Sequence, residues 1–271
     1  MESHFKIIFP LILEHDDSFN IKFVSKTSES LEFGKGIYYL CGDNGSGKTT
    51  FLNMLALITG NIGKKAINKG TISFNGEKYN GDHFNYIRAA EIREKSFCIF
   101  PQKAFFLPIS TRDNYIILNG TEKEKEKLFS PQESPDLLSG GQQQKILIDI
   151  VLDDKKPVWF LDEPLTNMDA ESRHYFWETL DKAFIKRPLM IFFIDHWLDH
   201  IIMKDEDFQH HGTLAVTMEH YWKGKPLSVE SQEIEIFKNN TPSNFFNRQI
   251  SDNESGMFNK RDEFSYRNIG H

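Results

Sequence analysis

The chain predicts an α/β fold: a mostly parallel sheet flanked by helices, with an antiparallel β subdomain and a short helical subdomain. Three observations carry that prediction. Three continuous apolar runs, Ile37 to Cys41, Val158 to Leu161 and Leu189 to Ile194, are separated by helix-like segments. Runs without polar alternation belong to strands buried on both faces, which is the state of parallel strands covered by helices. The first run leads directly into Gly42-Asp43-Asn44-Gly45-Ser46-Gly47-Lys48-Thr49, a complete phosphate-binding loop of the kind that joins a strand to a helix. Finally, Gly70-Thr71-Ile72-Ser73-Phe74-Asn75-Gly76 reads as a strand ending in an Asn-Gly turn, so an antiparallel hairpin flanks the loop.

Each element has its local reason. Glycines let the loop backbone fold back until several N–H groups point at one phosphate, while Lys48 and Thr49 reach the outer phosphates and a magnesium ion. Thr50 to Ile58 reads as the helix leaving the loop, with Phe51, Met54, Leu55 and Ile58 on one face and Gly60 at the C-terminal cap. The dipole of that helix faces the phosphates. The second apolar run ends in Asp162 and Glu163, two carboxylates delivered together at the end of a strand. From Lys103 to Leu137 no strong strand pattern appears, and this stretch reads as a helical insertion of about 103–137. Leu214 to Met218 reads as a late strand. From Ser231 the composition turns to Asn, Ser, Asp, Glu and Lys with scattered Phe, which suggests a polar extension over 231–271 beyond a domain of 1–230. Its aromatics Phe245, Phe246, Phe258 and Phe264 are candidate anchors for a partner.

Composition narrows the class. With 271 residues and 39% hydrophobic content the chain can build a sizeable core. No run of about 20 apolar residues is present, and the first residues lack a secretory pattern, so a cytoplasmic chain is expected. Cys41 and Cys98 are the only two cysteines, both inside apolar runs, where a thiol packs as a small hydrophobe and forms no disulfide. A formal charge of −7 argues against nonspecific nucleic-acid binding. The sign-alternating run Glu122 to Lys127 reads as a solvated helix face.

With these residues in hand, the chain resembles the nucleotide-binding subunit of an ATP-binding cassette (ABC) transporter. After the Walker A loop with Lys48, five motifs stand in the family's order: Gln102 in Phe100-Pro101-Gln102 as the Q-loop; the signature Leu138-Ser139-Gly140-Gly141-Gln142; the Walker B strand ending in Asp162 and Glu163; the D-loop Thr166-Asn167-Met168-Asp169; and His196 as the switch histidine. The resemblance implies ATP and Mg2+ as ligands. The loop residues Gly42 to Thr49, with Thr50, would cradle the nucleotide, while Thr49, Gln102 and Asp162 would hold the metal. Glu163 would polarise the attacking water, assisted by Lys48, Gln102 and His196. Ser139, Gly140, Gly141 and Gln142 would grip the γ-phosphate bound by a second subunit, with Asp169 facing that subunit, so a single signature implies a dimer. The lack of a spanning segment implies a separate membrane permease and a place on the cytoplasmic face of a membrane. A soluble, non-transport ABC ATPase, such as one serving iron–sulfur cluster assembly, is the alternative.

The sequence departs from the family pattern in places. The adenine-stacking aromatic is assigned to Phe19, with Phe23 as rival. Lys145 stands where an arginine is more frequent, keeping the charge but losing bidentate pairing. The interval between Gln102 and Leu138 is short, which bears on the surface offered to a membrane partner. His196 and His200 at i and i+4 have metal-like spacing but no third ligand in the sequence around them.

Overall fold

The apolar runs form the middle of one large sheet. In the computed structural model, which describes residues 3–15, 19–58, 70–79, 86–100, 106–114, 134–153, 155–166, 168–196, 198–222 and 225–240, twelve strands can be followed among the described residues. They are β1 (Phe5–Ile8), β2 (Leu11–His15), β3 (Phe19–Ser25), β4 (Ser30–Phe33), β5 (Gly36–Cys41), β6 (Thr71–Phe74), β7 (Glu77–Lys78), β8 (Phe97–Phe100), β9 (Val158–Asp162), β10 (Met190–Ile194), β11 (Gln209–Trp222) and β12 (Lys225–Asn239). The large sheet has the order β2-β3-β11-β12-β5-β10-β9-β8. Its β5-β10-β9-β8 half is parallel, and its β2-β3-β11-β12 half is antiparallel. The halves meet where β12 runs antiparallel to β5.

Every residue of β5, β9 and β10 is buried, which is why these strands show no polar alternation. Alternate residues nevertheless serve different faces, because side chains on a strand alternate sides. On one face Tyr38, Leu40, Phe160 and Phe192 pack with Phe51, Leu52 and Leu55 of helix α1 (Lys48–Leu55). On the other, Tyr39, Trp159, Leu161 and Phe193 pack with Ile146 and Ile150 of α3 (Gly140–Asp153) and with Phe176, Trp177 and Leu180 of α4 (Ala170–Lys186). Phe160 and Phe192 stack with centroids 5.2 Å apart and planes 6° apart, while Trp177 lies over Phe193 at 5.4 Å. Helix α2 (Tyr86–Ser96) leads into β8 at the parallel edge. Cys41 and Cys98 are free and buried, and burial together with the nearby Asp199 carboxylate pushes the Cys41 thiol up.

The expected hairpin is present as β6–β7, turning through Asn75 at φ 50° and Gly76 at φ 84°, the left-handed pair that a two-residue hairpin turn demands. Asn75 is more than a turn former, since its Oδ1 accepts the His4 amide at 2.9 Å and its own amide donates to the His4 carbonyl at 2.8 Å. The hairpin joins β1 and β4 in a second, antiparallel sheet of order β4-β1-β6-β7. Phe5 fastens this sheet to the large one, its ring within 6.3 Å of those of Phe74, Phe97, Phe160 and Phe192.

Gly70 opens that hairpin at φ 77°, where a Cβ would lie 2.3 Å from the Pro10 carbonyl oxygen and 2.4 Å from that of Ile8. Backbone cannot yield as a side-chain tip can. Gly70→Ala is therefore expected to cost at least about 2 kcal/mol, combining a left-handed penalty with a steric one, read as a lower denaturation midpoint at unchanged slope.

Two sequence expectations are corrected. Helix α1 runs Lys48–Leu55, not Thr50 to Ile58. It closes with Leu57 at φ 58°, the Leu57 amide donating to Met54 and the Ile58 amide to Asn53. This pair of bonds is a Schellman closure. The cap thus falls on a leucine, whose side chain is buried at 3% exposure and anchors the turn, while Ile58 is exposed. Gly60 lies outside the described residues. The second correction concerns the boundary at 230. Residues 231–239 belong to β12, and Glu235 to Asn239 pair with β5 itself. The expected late strand, Leu214 to Met218, is only the middle of β11, which pairs with β3 on one side and β12 on the other. The polar letters of β12 alternate with apolar ones, and Ile234 and Ile236 carry the buried face. Most of the insertion expected at 103–137, the run 122–127 and the Phe245 to Phe264 aromatics lie outside the described residues.

Candidate functional site

The site begins where β5 ends. Gly42 leaves the strand at φ 153°, and a Cβ there would lie 2.6 Å from the carbonyl oxygen of Glu233 on β12. Gly47, at φ 90°, precedes α1, and its missing side chain leaves room for Ile21 and Val216 at 3.1 and 3.4 Å. The loop is thereby laid flat on the antiparallel half of the sheet. Asp43, Asn44 and Gly45 form its exposed tip, while Ser46 is buried. The first amides of α1, at Lys48, Thr49 and Thr50, have no carbonyl ahead of them within the helix, so they form a donor cluster suited to an anion.

Lys48 is 5% exposed, and its Nζ donates to the carbonyls of Gly42 at 2.6 Å and Asp43 at 2.8 Å. Burial pulls its pKa down, and the carboxylate of Asp199 is the strongest influence in the opposite direction. A buried ammonium held by two loop carbonyls and, at 3.4 Å, by the Ser46 hydroxyl is poised to exchange these neutral partners for phosphate oxygens, which carry full charge.

Beside it, Thr49 Oγ1 donates to Asp162 Oδ1 at 3.4 Å. Asp162 is 4% exposed. Burial pushes its carboxyl up, and the Thr49 hydroxyl opposes the shift. A hydroxyl and a buried carboxylate side by side make a hard-oxygen donor pair of the kind Mg2+ accepts alongside phosphate oxygens.

Glu163 follows at φ 50°, a left-handed conformation that turns the chain sharply off the strand end. Its amide donates to the Ile194 carbonyl at 2.8 Å, binding the turn to the neighbouring strand. The carboxylate meets His196 Nε2 at 3.4 Å through Oε1 and the Thr166 hydroxyl at 3.4 Å through Oε2. A cleft of about 390 Å³ opens here, lined by Glu163, Leu165, Thr166, Arg173, Asp195 and His196.

The signature segment stands at the start of α3. Ser139 and Gln142 form a reciprocal capping box: the Gln142 amide donates to Ser139 Oγ at 3.4 Å, and the Ser139 amide to Gln142 Oε1 at 2.9 Å. Both are exposed. Gly140 and Gly141 fill the first helical positions. Asp169 caps α4, with Oδ1 accepting the Ser172 amide at 2.8 Å and Oδ2 lying 3.3 Å from Lys145 Nζ. The Ser172 bonds, with help from Lys145, hold the Asp169 carboxyl below its ordinary range. Lys145 thus ties the signature helix to the D-loop within one chain.

Lys48, Thr49, Asp162, Glu163 and His196 form one continuous neighbourhood, while Ser139 to Gln142 present an exposed helix start. Phe19 is half-buried, its ring 5.0 Å from that of His220 across β3 and β11. Its rival Phe23 is fully buried against Phe51 at 5.4 Å, so it belongs to the core. Gln102 and Asn167 lie outside the described residues. One residue of the neighbourhood escaped the sequence reading. Asp199, first residue of the short α5 (Asp199–Ile202), accepts the Gly42 amide at 3.3 Å and lies 3.7 Å from His196 Nδ1. Its only signal was an acid three residues after His196.

Comparison with known proteins agrees with this geometry. The family model described as "ABC transporter" matches residues 27–166. The molybdenum import ATP-binding protein ModC of Hahella chejuensis (strain KCTC 2396) is 26% identical over 183 residues, 62% of this chain and 48% of that protein. The thiamine import ATP-binding protein ThiQ of Histophilus somni (strain 129Pt) is 27% identical over 180 residues, 61% of this chain and 78% of its own. The chain thus spans about half the length of the first relative and most of the second. Among solved structures, a dimeric ATP-binding cassette in a post-hydrolysis state bound to ADP and Pi superposes with a TM-score of 0.56 at 18% identity, covering 83% of this chain and 97% of that one, a likeness of fold.

Proposed function

This chain belongs to the ABC transporter family, and from that premise we infer that it is the ATP-binding and ATP-hydrolysing subunit that drives a separate membrane permease. The observation that carries the reading is the single neighbourhood in which the Lys48 loop adjoins Asp162, Glu163 and His196.

ATP lays its phosphates along the first amides of α1, and Lys48 gives up the Gly42 and Asp43 carbonyls for them. Thr49 and Asp162, with Gln102, would hold Mg2+, which would supply charge neutralisation to the phosphates. Glu163 accepts the proton of the attacking water as it adds to the γ-phosphorus and the bond to ADP breaks. His196, held against Glu163, faces the phosphate that leaves. The Phe19 ring receives the adenine.

Two copies close over two nucleotides. The exposed Ser139 start of α3 in one copy completes the phosphate site of the other, its hydroxyl and first helical amides serving as donors to the γ-phosphate. The permease is a separate chain, and among the described residues no helix is long and apolar enough to cross a membrane. The subunit works on the cytoplasmic face. Both named relatives serve import, which favours import as the direction.

The composite site is tested by Ser139→Arg. We expect turnover to fall at least about 100-fold while nucleotide binding by the monomer stays within a factor of about 2, since the substitution alters only what one copy offers the other. Equal turnover would remove the composite site. The permease is tested by purifying tagged Glu163→Gln protein with ATP in mild detergent. A stoichiometric multi-pass membrane protein supports the transporter reading. Soluble partners alone would move the assignment to a non-transport ABC ATPase, such as a cluster-assembly factor.

A further inference from the structure

The peptide unit at Gly42 is held from two sides. Lys48 donates to the Gly42 carbonyl at 2.6 Å, and the Gly42 amide donates to Asp199 Oδ2 at 3.3 Å. The same oxygen lies 3.7 Å from His196 Nδ1, and the opposite ring nitrogen lies 3.4 Å from Glu163 Oε1. The Asp199 side chain is 14% exposed, so little water competes for it. One carboxylate therefore touches both the entry of the nucleotide loop and the histidine that faces the hydrolytic glutamate. The imidazole ring thus has an acid beside each of its two nitrogens.

We propose that Asp199 is a positioning residue for hydrolysis, anchoring the phosphate loop through Gly42 and orienting the His196 ring toward Glu163. The inference rests on the ATPase reading above. When ATP draws Lys48 off the Gly42 carbonyl, the Asp199 bond keeps the loop entry in place. The His196 ring stays referenced to that same carboxylate, so the loop and the hydrolytic pair keep one geometry through the cycle.

Asparagine and alanine separate the two tasks. Asp199→Asn retains an acceptor for the Gly42 amide but exchanges the carboxylate facing His196 for a neutral amide. Its KM for ATP should stay within about 3-fold of the parent, while kcat falls about 10-fold or more, the usual cost of removing a partner that orients an active-site imidazole. Asp199→Ala should lose kcat to a similar extent and also raise KM several-fold. In a His196→Ala background, Asp199→Asn should change kcat no further, because the ring it orients is gone. A purely structural role predicts otherwise: both variants would lower thermal stability, show no split between KM and kcat, and add their losses to that of His196→Ala. That pattern, or an unchanged kcat in Asp199→Asn, overturns the proposal while the ATPase reading stands. A parent protein that hydrolyses no ATP overturns both.

Discussion

Glu163→Gln protein is expected to bind ATP as tightly as the parent, to hydrolyse it at least about 100-fold more slowly, the usual contribution of a positioned general base, and to accumulate as an ATP-bound dimer. The expectation follows from what the substitution preserves. Gln has nearly the same volume and can adopt the same left-handed backbone at φ 50°, and its amide can still meet the Thr166 hydroxyl and the His196 ring that now lie 3.4 Å from the carboxylate oxygens. Neither Lys48 nor the Thr49–Asp162 pair is touched. An amide, however, cannot take a proton from water. Binding and closure are thus separated from chemistry, and the sandwich formed with ATP has only a slow route to products. Size-exclusion chromatography with ATP should show a doubled mass for Glu163→Gln, and a single-turnover assay should show the slow step. Turnover at the parent rate would reassign the base.

The second large effect is the loss of nucleotide binding in Lys48→Ala. The ammonium is buried, and burial already pulls its pKa down, so the site has offset a desolvation cost to keep a cation there. Phosphate contacts repay that cost. Hydrogen bonds to charged groups contribute about 1.5–3 kcal/mol each, so removing the donor should weaken ATP binding roughly 10- to 100-fold, measurable by titration calorimetry at fixed Mg2+. A second consequence concerns the empty protein. Without Nζ, the carbonyls of Gly42 and Asp43 lose their donor, and the loop should exchange amide hydrogens faster than in the parent. Unchanged ATP affinity would mean that the phosphates lie elsewhere.

Much of the candidate site was legible because its residues are contiguous in the sequence. A phosphate loop needs its glycines and lysine within one strand-to-helix turn, so Gly42 to Thr49 could be read directly. Asp162 and Glu163 were legible for the same reason, at the end of an unbroken apolar strand. The parallel order was legible as well, because strands buried on both faces must be apolar throughout. Asp199 was not, since an acid in a short helical turn has no special local signature and acquires its role only when β10 and β5 bring His196 and Gly42 to it. The left-handed backbone at Glu163 was hidden too, because nothing in its side chain announces it and the Ile194 carbonyl that holds it comes from another strand.

By itself the sequence determined the strand, loop and helix around Lys48, the parallel core and the order of the motifs, all of which depend on local spacing and on hydrophobic periodicity. The tertiary structure decided the rest: that α1 ends at Leu55 and closes through a left-handed Leu57, that Phe23 is core while Phe19 stays half-open, and that residues 231–239 complete the central sheet. In each case the deciding contacts are long-range. Leu57 accepts a left-handed backbone because its side chain is buried, Phe23 finds Phe51, and the polar-looking β12 is held by the carbonyls and amides of β5 and β11, a partnership that composition does not record.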